Sequence, residues 1–128
     1  MVQAYAVPGW HLEVDRGPDW LFVRPRPLDA DAKDACELGE QLWALLEQTL
    51  THRLVLELAD LDRLDAKLVK QLLWLRERIT ACDGIMRICG LTPANEAFLR
   101  SYDLAGHIAH YCDRESAVMG HDSPRRPR

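Results

Sequence analysis

Residues 55–79 read VLELADLDRLDAKLVKQLLWLRERI, and the fold is decided there. The opening belongs to a short β-like run, Arg53 to Leu58, which breaks into a loop and predicts a strand. A loop with three aspartates follows: Asp60, Asp62 and Asp65. The spacing then becomes helical, since Leu68, Val69, Leu72, Leu75 and Ile79 share one face at about 100° per residue. The predicted helix runs from Ala66 to about Ala81 and stops at Cys82-Asp83-Gly84, with Gly84 expected in the left-handed conformation. Asp65 is placed to cap it. Lys67 and Lys70 occupy its opening turns, where the positive end of the helix dipole disfavours a cation by about 0.3–1 kcal/mol.

Upstream, His11–Val14 and Trp20–Val23 are β-prone and separated by a turn at Gly17-Pro18-Asp19, which predicts a hairpin. Asp29 or Asp31 can cap a helix reaching about Leu50, with Ala35, Leu38, Leu42, Leu45 and Leu46 at helical spacing. Downstream, Ile85–Cys89 is a strand. Thr92 and Pro93 then open another helix, Ile108–Tyr111 is a last short strand, and Asp113–His121 can add a helical turn. The order β-β-α-β-α-β-α-β predicts an α/β fold: a mixed, mostly parallel β-sheet with an N-terminal hairpin and helices packed on it. Residues 1–119 are expected to form a single domain, and 120–128, ending SPRRPR, a disordered basic tail.

The composition narrows the partners. A formal net charge of −4 and a pI near 5.7 argue against nucleic acid, whose phosphates need a basic surface. Each apolar run is broken well before about 18 residues, so no membrane insertion is expected. The opening MVQAYAVPGWHLEVDRG has no basic n-region, which leaves a cytoplasmic address. Cys36, Cys82, Cys89 and Cys112 include no C-x-x-C pair and read as reduced structural thiols.

From Val55 onward the chain resembles a STAS domain, the fold of anti-sigma factor antagonists, with the likeness extending over roughly residues 10–118. VLELADLDRLD stands where that family has a strand, a small loop and an aspartate. AKLVKQLLWLRERITACDG matches its central helix and glycine stop, and IMRICGLTPANEAFLRSYDLAGHI its next strand, its G-L-(S/T)-P helix start and its closing turn. The resemblance implies a non-enzymatic switch that binds an anti-sigma factor of the serine-kinase kind and is phosphorylated in the loop before the central helix. The family's D-S-(S/T)-G motif falls on Asp65, Ala66, Lys67 and Leu68, and only the aspartate is retained. Ala66 and Lys67 are the lost phosphoacceptor positions. Between Ala59 and Lys70 no Ser, Thr or Tyr is present to receive a phosphate.

The helix face opposite the apolar stripe gathers Lys67, Lys70, Trp74 and Arg78. Trp and Arg are frequent binding anchors. The resemblance places partner docking on this helix and the loop before it, so Asp60, Asp62, Asp65, Lys67, Lys70, Trp74 and Arg78 form the expected docking set. The plainer alternative is that Trp74 tucks against a neighbouring helix while the cations are solvated.

Catalytic patterns are weak. Asp60, Asp62 and Asp65 superficially resemble the start of a calcium loop, without its glycine and terminal glutamate. His107, His110 and Cys112 do not make a metal set. No phosphate-binding glycine loop or nucleophile elbow occurs. No enzyme activity, cofactor or metal is expected. Three readings stay open: an antagonist-like interaction module, an accessory or scaffold subunit of a larger assembly such as a transporter or stress-signalling complex, and a receiver-like phosphoprotein using Asp65. Oligomeric state, a homodimer included, is likewise open.

Overall fold

The computed structural model describes residues 2–7, 9–27, 38–61, 63–101 and 109–120. Six strands and four helices alternate along them: β1 Val2–Val7, β2 Trp10–Arg16, β3 Leu21–Pro27, α1 Leu38–Gln48, β4 Arg53–Glu57, α2 Ala66–Ala81, β5 Ile85–Cys89, α3 Pro93–Ser101, β6 Ala109–Tyr111 and α4 Arg114–Met119. The strands form one sheet in the order β1-β2-β3-β4-β5-β6. β1–β2 and β2–β3 are antiparallel, whereas β3–β4, β4–β5 and β5–β6 are parallel. The expected α/β architecture is therefore present, with one correction. The N-terminal hairpin is the second half of a three-stranded meander, because Val2–Val7 pairs with β2 as well. The predicted start of the first helix and residues 121–128 of the expected tail lie outside the described residues, while Gly120, its first residue, caps α4.

Alternation along the strands sorts the two faces. Trp10, Leu12 and Val14 on β2, Leu21 and Val23 on β3, Leu54 and Leu56 on β4, and Met86 and Ile88 on β5 share the main core. Onto it pack Leu38, Leu42, Leu45 and Leu46 of α1, the α2 stripe Leu68, Val69, Leu72, Leu75 and Ile79, and Leu99 of α3. The stripe read from the α2 sequence is the buried one. Among the described residues the other face is covered by α4, where Trp20, Val55, Cys89 and Ala117 form a smaller cluster. Arg114 fixes α4 there: it donates to Asp15 of β2 and Glu57 of β4 and stacks on the Phe22 ring, 4.3 Å from its centroid.

Pro25 and Pro27 sit in β3 without loss, because the ladder to β4 runs only from Leu21 to Val23.

Both long helices end in the same way. On α2, Gly84 N–H donates to the Ile79 carbonyl at 2.8 Å and Asp83 N–H to the Thr80 carbonyl at 3.0 Å, a Schellman pair. The left-handed residue is Asp83, at φ 61°, and not Gly84 as expected. On α1, Thr51 and Leu50 N–H donate to Leu46 and Glu47 carbonyls, with Leu50 left-handed at φ 55° and 88% exposed. A leucine gains nothing there and carries the steric cost of its Cβ. Leu50→Gly is expected to raise stability by roughly 1 kcal/mol, read as a melting midpoint a few degrees higher.

Candidate partner-docking site

The loop between β4 and α2 is anchored from both sides. Leu61 and Leu64 are buried and pull it onto the core. Leu58 N–H donates to the Cys89 carbonyl, and Leu61 N–H to the Leu58 carbonyl. Asn95, in the first turn of α3 and 2% exposed, spans the gap: its Nδ2 donates to the Leu61 carbonyl at 3.0 Å, and its Oδ1 accepts from Leu64 N–H at 2.8 Å. Thr92 and Pro93 set that turn as the sequence predicts, with Thr92 Oγ1 accepting from Asn95 N–H. Asp60 leans to the opposite sheet face, where Arg24 clasps it through two hydrogen bonds of 2.8 and 3.0 Å. Those bonds hold the Asp60 carboxyl below its ordinary range.

Asp65 is the N-cap of α2, its Oδ1 accepting from Leu68 N–H at 2.8 Å. Ala66, Lys67 and Lys70 follow, all exposed, and the first turn of the helix carries no acidic residue. Asp62 lies outside the described residues.

Trp74 and Arg78 occupy different surroundings. Trp74 is half-buried against the main core, close enough to α1 that a Cβ built on Gly39 would come within 3.1 Å of its ring. The Arg78 guanidinium lies 5.0 Å from the Trp74 ring centroid and 5.1 Å from that of Trp43, and Trp43 stacks on His52. Gln71, one turn earlier, accepts from Gly39 N–H. Of the seven expected residues, the six described ones divide. Lys67 and Lys70 are open on the first turns of α2, Asp65 and Asp60 shape the loop, and Trp74 with Arg78 forms a cation–aromatic stack beside the α1–α2 contact.

Sequence reasoning missed Asn95, Arg24 and Arg114. A signal for Asn95 was present: a polar residue in the first turn of a helix, four positions before the buried Leu99, faces the core and must find partners.

Among the described residues no three His, Cys, Asp or Glu side chains gather as a metal would require. His107 lies outside them. Burial pushes the Cys89 thiol up to about 12, so it stays protonated at neutral pH. No helix in the described part is long and apolar enough to cross a membrane.

A meander feeding a parallel sheet, a capped helix after a pinned loop, and a short helix closing the far face together define the STAS fold, the fold of the anti-sigma factor antagonists. A Thermotoga maritima protein, described in its crystal structure as a candidate anti-sigma factor antagonist, superposes with a TM-score of 0.74 over 84% of this chain and 91% of its own, at 14% identity. An anti-sigma factor antagonist from Mycobacterium paratuberculosis gives 0.71 over 90% and 96%, at 17% identity. A chain from the stressosome, a signal integration and transduction hub, gives 0.68 over 84% and 93%, at 15% identity. No family model and no curated protein matches the sequence.

Proposed function

We propose that this chain is a non-enzymatic protein-interaction module, antagonist-like in a bacterial partner-switching pathway and acting in the cytoplasm. It docks on an anti-sigma factor or related serine-kinase-like regulator through the loop at Asp60, Asp62 and Asp65 and the α2 face of Lys67, Lys70, Trp74 and Arg78. The observation that carries this reading is the exposed pair Lys67 and Lys70 at the start of a helix whose preceding loop is fixed at every described turn. A cation at that end opposes the helix dipole and is compensated when an acidic partner surface meets it. Because Ala66 and Lys67 replace the hydroxyl residues of the usual motif, the module is held in its binding state without phosphorylation at that position.

A second reading, a scaffold or accessory subunit of a larger assembly, is favoured by the likeness to the stressosome chain.

The test separates binding from folding. Lys67→Glu places an anion at the positive end of α2, so its melting midpoint should equal or exceed that of the wild type. Combined with Lys70→Glu, it should abolish capture of an ATP-binding regulator from source-cell lysate. Equal capture by both forms sinks the docking face. Recovery of many copies of one assembly by both forms favours the scaffold reading.

A further inference from the structure

The β1 edge of the sheet is six residues long, VQAYAV, with no charge and no proline. Proteins commonly blunt such edges with lysine, proline or a covering loop. The opposite edge, β6, has only three residues. The phase of hydrogen bonding on β1 follows from β3. Trp10 and Leu12 on β2 lie opposite Pro27 and Pro25, which have no N–H to give, so the backbone bonds of Trp10 and Leu12 turn toward β1. Their partners there are Val7 and Tyr5. The two-residue connection between Val7 and Trp10 gives the same phase, since such a turn closes on a hydrogen-bonded pair. Val2, Ala4 and Ala6 are therefore the residues whose N–H and C=O point away from the sheet.

We infer that the β1 edge pairs with the β1 edge of a second copy of this chain, antiparallel about a two-fold axis at Ala4. In that register Ala4 meets Ala4 of the partner subunit and Val2 meets the partner's Ala6. All the outward donors and acceptors of the strand are then satisfied reciprocally, as an isologous contact requires. The surroundings favour this occupant. A groove of about 100 Å³ lies beside the edge, between β1–β2 and α1, lined by Tyr5, Leu12, Gln41, Ala44, Leu45 and Gln48. Its lining carries no charged side chain, although Glu40 and Glu47 are exposed elsewhere on α1. The strands that meet are themselves uncharged, with Glu13 and Asp15 one strand in from the edge, which limits like-charge repulsion across the contact. This contact lies three strands from β4 and the docking loop, so it stands or falls separately from the docking proposal.

Sedimentation equilibrium on the full chain tests it, with two variants of the exposed Ala4. Ala4→Pro removes an outward N–H while leaving the β1–β2 bonds, and Ala4→Lys sets charge against charge. A concentration-dependent dimer in the wild type and monomers for both variants, with unchanged circular dichroism, is the expected result. Register is read by oxidative cross-linking. Ala4→Cys brings two Cα atoms to about 5.5 Å, within disulfide reach, while Gln3→Cys leaves them roughly 8 Å apart. A dimer band above the wild-type background is expected for Ala4→Cys alone. A wild type that stays monomeric at every concentration, or variants that dimerise as it does, would overturn the inference. So would cross-linking at Gln3→Cys in preference to Ala4→Cys.

Discussion

Asn95→Ala is expected to cost about 3 kcal/mol and to lower the melting midpoint by roughly 10 °C. The side chain is buried and makes both of its bonds to backbone groups of the β4–α2 loop, the Leu64 N–H and the Leu61 carbonyl. Removing it orphans both, and each buried unpaired group costs about 1–3 kcal/mol. Both leucines keep their places in the core, so the loop cannot swing out to find water. Hydrogen exchange at the Leu64 amide should accelerate more than at the centre of α2, since the local anchor is lost first. Asn95→Asp distinguishes lost hydrogen bonding from lost volume. A carboxylate can accept from Leu64 but repels the Leu61 carbonyl, so its folded-state pKa is raised. The variant should then approach wild-type stability at acidic pH, where the protonated acid can donate, and fall away as pH rises through that pKa. A melting midpoint for Asn95→Ala within a degree or two of wild type would mean that Asn95 does not hold the loop.

Gly84→Ala is expected to cost at least as much, about 3–4 kcal/mol, for a steric reason. A Cβ there would overlap the His52 carbonyl oxygen and lie 2.7 Å from Ile79 Cγ2. The carbonyl is backbone and accepts from Ile85 N–H at 2.9 Å, which ties the approach to β4 to the start of β5. Relief of the clash must therefore shift the entry of one of two central strands. Urea denaturation with an unchanged slope and a much lower midpoint is the expected signature. A midpoint close to wild type would show that this junction gives way easily.

The two positions also mark where sequence reasoning stopped. β4, α2 and β5 were legible because their apolar periodicity is local and each buries the residues its own pattern selects. The caps at Asp65 and Thr92 were legible too, since a cap acts within one turn. β1 was not, because two alanines and a glutamine give it weak strand propensity and only pairing with β2 makes it a strand. Gly84 was read as a left-handed stop, the usual reason for glycine at a helix end. Asp83 takes that conformation, and the glycine is needed for the approach of His52 from another element. Trp74 does lie off the main stripe, but a single-helix projection does not include α1, whose proximity half-buries the ring. Asn95 depends on partners more than thirty residues away.

The strand order runs straight from β1 to β6, with α1, α2 and α3 all contributing to the core on one face. Open α/β sheets that seat nucleotides or other small molecules do so at a switch point, where strand order reverses and helices on opposite faces part to leave a crevice. Among the described residues each strand lies beside the last and the order never reverses, so the sheet has no such switch point. What the β4–α2 junction presents is the exposed pair Lys67 and Lys70 at the start of α2.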